Sequence, residues 1–240
     1  EVCQTVEDAV ARILGGEPLA YVLEEWDFYG MRLYINRNVL IPRDDTCAVT
    51  TLAIEKALFL DKDPRILDLC TGSGCIGLAV ANRVKDAKVT LGDISRDAIA
   101  VAKKNITLQK LSGRVTCVQA DARNDPAPFL GKFDMIVSNP PYIPDGLRGT
   151  LQKEVEKEPE MALFAGADGL DFYRRIAREA PMHLHEKGRL VLECGDDQPA
   201  AIAGLLAQDF EDIRIICDMN GHDRGVSARL KEAAGGKWID

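Results

Sequence analysis

Apolar and polar positions change period several times along this chain, and each change marks an element. Val6, Ala9, Val10, Ile13 and Leu14 recur at helical spacing over Thr5–Leu14, and Gly15-Gly16 stops the run. From Trp26 to Ile41 the pattern turns extended, with Gly30 and Asn36-Arg37-Asn38 as turn signals, which predicts a β-hairpin. An apolar helix is predicted over Cys47–Leu60, then a polar linker, Asp61–Pro64. Beyond it, strand patterns at Arg65–Leu69, Lys88–Ile94, Val115–Ala120, Phe133–Ser138 and Arg189–Cys194 alternate with helical ones. The helices are Cys75–Val84, Arg96–Gln109 with Ser95 as N-cap, and Leu170–His183. Such alternation predicts an α/β fold, a mostly parallel sheet covered on both faces. Gln198–Ala207 predicts one more helix, and Asp212–Asp218 and Val226–Leu230 two last strands. The link between those strands contains Asn220-Gly221 and is too short for a crossover helix, so they pair antiparallel.

Composition narrows the class. A chain of 240 residues, 46% of them hydrophobic, suits one α/β domain with a small appendage. A net charge of −8 points away from nucleic-acid phosphates as the main partner. Seven scattered cysteines form no CxxC pair and no His/Cys ligand spacing, which favours reduced thiols in the cytoplasm over disulfides or zinc. Cys70 and Cys75 have no neighbouring base in sequence and read as core. His183 and His185, two apart, do not share a helix face, so no metal pair is expected. No run reaches transmembrane length and no signal peptide is visible, so no membrane partner is expected. The charged run Lys153–Glu158 reads as a solvated helical face. It lies in a long segment, Ile143–Gly169, of the kind that binds substrate beside a site.

Two motifs carry the chemistry. Asp68 to Gly77 follows the first sheet strand and opens a helix, and Gly72, Gly74 and Gly77 match GxGxxG. Asp93 ends the second strand nineteen positions after Gly74, where an acid that binds ribose hydroxyls belongs. Either NAD(P) or S-adenosylmethionine fits that loop. Asp68 is placed to reach a cationic amino-acid moiety, and Asp121 with the Ala122 amide to hold an adenine edge or cap a turn.

The second motif is Asn139-Pro140-Pro141-Tyr142, just past the fourth predicted strand. Two prolines stiffen the backbone and hold the preceding residue extended. The Asn139 oxygen and the Pro140 carbonyl can then accept both N–H bonds of a planar amino group, with Tyr142 stacked on its face. A dinucleotide dehydrogenase has no use for this motif. Its sheet also lacks the antiparallel last strand of the seven-stranded methyltransferase sheet.

With these motifs in place, the chain resembles the peptide chain release factor glutamine methyltransferases. Gly16-Glu17-Pro18-Leu19-Ala20-Tyr21, Leu40-Ile41-Pro42-Arg43, Glu158-Pro159 and Ala162-Leu163 extend the likeness over nearly the whole length. The resemblance implies a Rossmann-like class I enzyme in the cytoplasm, using S-adenosylmethionine to methylate the side-chain amide nitrogen (N5) of a glutamine in an exposed loop of a release factor; a monomer is expected. Cofactor contacts carry over to Cys70, Thr71, Gly72, Ser73, Gly74, Asp93, Ala122 and Asn139, with Asp68, Ile94 and Asp121 completing the candidate set. Catalytic and substrate contacts carry over to Asn139, Pro140, Pro141 and Tyr142. Residues 1–18 would be the end of a helical substrate-binding domain, 19–47 a hairpin linker, and 48–240 the methyltransferase domain. Asp44 and Cys47 stand where the family usually has a proline and a glutamate. A DNA or RNA adenine methyltransferase, a ribosomal-protein glutamine methyltransferase and a subunit that binds S-adenosylmethionine without modifying anything remain alternatives.

Overall fold

The alternation beyond Pro64 folds as predicted in a computed structural model that describes residues 2–122 and 131–232. Before it come helices α1 (Val2–Leu14) and α2 (Leu19–Leu23), strands β1 (Glu25–Phe28) and β2 (Met31–Tyr34), and helix α3 (Thr46–Leu58). Then follow β3 (Arg65–Leu69), α4 (Cys75–Arg83), β4 (Lys88–Asp93), α5 (Arg96–Leu108), β5 (Val115–Gln119) and β6 (Phe133–Ser138). The rest is α6 (Asp171–His183), β7 (Leu184–Glu193), α7 (Pro199–Leu206), β8 (Phe210–Cys217) and β9 (Asp223–Leu230).

β1 and β2 form a hairpin, and the other seven strands form one sheet in the order β5-β4-β3-β6-β7-β9-β8. β9 runs antiparallel to both its neighbours; the β3–β4, β3–β6, β4–β5 and β6–β7 pairs are parallel. This is the class I methyltransferase sheet. Side chains along each strand alternate between two cores. Ile66, Met135 and Val137 pack with α3, α4 and α5, while Leu67, Leu69 and Ile136 pack with α6 and α7. The central strands β3 and β6 are buried on both faces, and that is why they read as largely apolar runs. Ser95 caps α5 as expected, its Oγ accepting from the Ala98 N–H at 3.1 Å.

The hairpin is shorter than predicted. The Asn36 side chain accepts from the Asn38 N–H at 3.0 Å, and its carbonyl from the Val39 N–H. This turn leads the chain off the ladder, so Val39–Ile41 is a buried linker rather than a strand. β7 begins five residues earlier than predicted, at Leu184, and includes the polar His185-Glu186-Lys187. Helix α2 had no sequence prediction. Residues 1 and 233–240, where the outer domain boundaries were drawn, lie outside the described residues. Among the described residues no helix is long and apolar enough to cross a membrane.

Candidate active site

Register sets the site. Leu69 is paired with Gly92 and with Ser138, and Ser138 with Leu192. The residues that follow, Asp93, Cys70, Asn139 and Glu193, therefore lie in one row at the carboxyl edge of the sheet. The strand order reverses between β3 and β6, which is where open α/β sheets bind ligands.

The glycine loop is built for a close approach. Cys70 holds φ at +58°, an uncommon value for a residue with a Cβ, and Gly72 and Gly74 also have positive φ. A Cβ on Gly77 would overlap the Leu91 side chain and lie 2.9 Å from Asp68 Oδ2, so glycine lets α4 pack against the strands. Asp68 lies beneath this loop rather than on the wall expected of it. Its Oδ2 accepts from Thr71 Oγ1 at 2.7 Å and from the Gly77 N–H at 2.8 Å. Burial pushes its carboxyl up to about 7 against those two hydrogen bonds. Asp93 ties the loop to the next turn, accepting from the Gly72 and Ser95 N–H groups at 2.9 Å each. Desolvation raises its carboxyl as well.

Above the row lies a cavity of about 410 Å³. Of the predicted residues, Cys70, Thr71, Gly72, Ser73, Asp93, Ile94, Asp121, Ala122, Asn139 and Pro141 line it, whereas Asp68, Gly74, Pro140 and Tyr142 do not. Apolar surface comes from Ile94, Ala98, Ala120, Ala122 and Phe172, next to the Asp93 carboxylate. A flat base between apolar walls and a ribose on Asp93 suit that chemistry, so the residues present fit an adenosyl group. Cys70 and Cys75 also line the cavity, and burial raises both thiols far above the range of a reactive thiolate.

The Asn139–Tyr142 turn is braced from the end of β7. The Glu193 carboxylate, 3% exposed, lies against the Asn139 side chain and accepts from Thr46 Oγ1 at 3.0 Å. Gln198 Nε2 donates to the Tyr142 carbonyl at 3.0 Å, while its Oε1 accepts from the Gly195 N–H. A Cβ on Gly169 would overlap the Tyr142 carbonyl oxygen. Burial pushes the Tyr142 phenol up to about 12. The Pro140 carbonyl accepts no hydrogen bond from the described backbone.

Two further walls close the cavity: Arg148, Pro159, Glu160, Met161, Ala162 and Phe164 from the Ile143–Gly169 segment, and Asn38, Val39, Leu40 and Pro42 from the linker after the hairpin, with Thr46 at the start of α3. Tyr21 OH donates to the Val39 carbonyl at 2.7 Å and Trp26 Nε1 to the Pro42 carbonyl at 3.1 Å. Glu158 Oε2 accepts from the Ile41 N–H at 2.8 Å, and Oε1 pairs with Arg43. Glu158 is 4% exposed, so the solvated face predicted for its charged run is wrong at that residue. It follows the 3₁₀ turn Val155–Lys157 with an extended backbone, and its side chain is turned in to the Ile41 N–H. Asp45 pairs with Arg224 at 3.2 Å. Asn105, fully buried on α5, donates to the Tyr34 and Ser73 carbonyls and accepts from the Tyr34 N–H.

Sequence reading gave no role at the site to Glu158, Glu193, Gln198 or Asn105. One signal was present for Asn105, a polar residue on the apolar stripe of a helix.

The chain is also similar to known proteins. The Methyltransferase small domain family matches residues 47–158. The chain is 42% identical over 223 residues to the release factor glutamine methyltransferase of Chlorobaculum tepidum, covering 89% of this chain and 75% of that one. It is 42% identical over 186 residues to the ribosomal protein uL3 glutamine methyltransferase of Francisella tularensis, covering 77% and 58%. A methyltransferase from Pyrococcus furiosus shares the fold, with a TM-score of 0.60 at 19% identity over 94% of this chain and 99% of that one.

Proposed function

The chain belongs to the release factor glutamine methyltransferase family, and from that premise we propose how its site acts. It is an S-adenosylmethionine-dependent enzyme that methylates the side-chain amide nitrogen of a glutamine in a translation release factor, which places it in the cytoplasm. S-adenosylmethionine, when bound, supplies an electrophilic methyl group. Cys70–Gly74 and Asp93 would hold its amino-acid and ribose parts, and Ile94, Asp121 and Ala122 its base; Asp68 acts from below by fixing the loop.

An amide nitrogen is a poor nucleophile because its lone pair is delocalised into the carbonyl. Asn139 Oδ1 and the Pro140 carbonyl accept its two N–H bonds and so fix the direction in which a lone pair can develop. Those hydrogen bonds strengthen as the nitrogen gains positive charge, so the clamp favours the transition state over the ground state. Pro141 keeps the turn rigid, and Tyr142 covers the face of the target amide.

The observation that carries this reading is the meeting of Asn139 with the glycine loop and Asp93 on one cavity. The test is mass spectrometry of a release factor after incubation with labelled S-adenosylmethionine. Wild type should add one methyl group at a glutamine, while Asn139→Ala and Asn139→Asp should lower kcat by orders of magnitude. Unimpaired turnover by Asn139→Ala would refute the clamp. Ribosomal protein uL3 belongs in the same assay, because one relative of equal identity is named for it. The net charge of −8 weighs against an adenine in nucleic acid, which the same clamp would otherwise accept.

A further inference from the structure

Glu193 is held in an expensive state. Its carboxylate is buried, with Oε1 on Thr46 Oγ1, yet Oε2 is sealed from solvent and makes no hydrogen bond of normal geometry. The Asn139 side chain nevertheless lies close enough to favour the ionised form. Packing alone gives no reason for a carboxylate here, since an apolar or neutral side chain would avoid the desolvation cost.

We propose that Glu193 is the positioning residue for Asn139: its Oε2 accepts from Asn139 Nδ2 and so turns Oδ1 toward the target amide. The inference rests on the function proposed above and deepens it. A carboxamide has two ends of nearly equal size and opposite polarity. If Asn139 flipped, its NH₂ would confront the N–H groups it is meant to hold, two donors face to face. An ionised carboxylate only accepts, so it pairs with Nδ2 and rejects the flip. A protonated Glu193, or a glutamine in its place, presents a donor to Oδ1 and loses that discrimination.

Glu193 faces Asp45 at the N-terminal end of α3, Thr46 and Cys47 from α3, Cys75 from α4, Asn139 and Tyr142 beyond β6, Tyr173 from α6, its neighbour Cys194, and Arg224 from β9. Burial, joined by Asp45, pushes its carboxyl up to about 7, against Thr46, Arg224 and Asn139. Methyl transfer should therefore rise as pH increases through that range, as the carboxylate ionises.

The experiment compares wild type, Glu193→Gln and Glu193→Asp in single-turnover methyl transfer to a release factor, from about pH 6 to about pH 9. In parallel, the Asn139 side-chain amide resonances, assigned by their loss in Asn139→Ala, are followed by ¹⁵N NMR. Glu193→Gln should lower the rate by roughly 10²–10³-fold, the scale of losing one preorganised hydrogen bond. It should bind S-adenosylhomocysteine within about twofold of wild type, an affinity difference of only ~0.4 kcal/mol, and should lose the pH inflection. The shorter Glu193→Asp, still acceptor-only, should outperform the size-matched glutamine, an order that packing cannot produce. The amide resonances should titrate with the rate in wild type and stay flat in Glu193→Gln. Full activity in Glu193→Gln, or amide resonances indifferent both to pH and to that substitution, overturns the inference. If wild type transfers no methyl group but the amide still titrates with Glu193, the pairing stands and the proposed function falls.

Discussion

Removing the Glu158 carboxylate tests whether the linker wall is an integral part of the site. Glu158→Ala leaves the Ile41 N–H, on a residue 4% exposed, without its acceptor. An orphaned buried donor costs about 1–3 kcal/mol. The Arg43 side of the ion pair adds little, because its side chain is 42% exposed and solvent screens it. Losing the carboxylate also returns something, since burial raises the Glu158 carboxyl above its ordinary value. The balance is a loss of about 2 kcal/mol in unfolding free energy, read from urea transitions. Glu158→Gln keeps an oxygen for Ile41 and should lose less than about 1 kcal/mol. Val39, Leu40 and Pro42 line the cavity, so Glu158→Ala should also weaken S-adenosylhomocysteine binding, by about tenfold or ~1.4 kcal/mol in a calorimetric titration. A variant with wild-type stability and wild-type affinity would show that the linker holds its place without Glu158, and the reasoning would fail.

Asp93→Ala should weaken S-adenosylmethionine binding by about 1–3 kcal/mol, the scale for a hydrogen bond to a charged group; calorimetry showing no change, or showing saturable NAD binding, would count against the assignment. The Asp68 carboxyl is raised to about 7 in the fold, above an unfolded value of about 3.9. Its contribution to stability is therefore fully present below about pH 4 and is lost as pH rises through about 7. Wild type should accordingly gain stability on acidification from about pH 8 to about pH 5 relative to Asp68→Asn, and parallel pH curves for the two would refute the shift. Gly169→Ala forces a Cβ onto the Tyr142 carbonyl at a φ of +74°. It should cost about 1–3 kcal/mol and reduce turnover; an unchanged melting temperature and rate would refute the brace.

The parts of this fold that were legible are those whose cause is local. Strands buried on both faces show as apolar runs, Ser95 announces a helix start, and GxGxxG with Asp93 declares a loop and the acid that faces it. Asn139–Tyr142 was legible because proline stiffness is intrinsic to the residue. The braces were not, because their partners are remote in sequence: Glu158 meets Ile41 across 117 positions and Thr46 meets Glu193 across 147. No periodicity marks such a residue. In Lys153–Glu158 the charge pattern is that of a solvated face, and nothing in it marks the last glutamate, just past a 3₁₀ turn, as the partner of Ile41. The hairpin was overextended for a related reason, since Asn36 as a turn residue predicts either a tight reversal or an exit from the ladder.

Asn105 ties together parts of the chain that are made at different times. Its carboxamide joins Tyr34, 71 positions earlier, to Ser73, 32 positions earlier. Both closures carry the entropic cost of a long loop, and neither is rewarded before α5 exists. During synthesis the hairpin and the glycine loop emerge first, without the side chain that holds one to the other. The glycine loop thus completes its native contacts only after residue 105 has been made and α5 has docked. An incomplete chain can contain the entire GxGxxG motif and still have no cofactor cavity to fill.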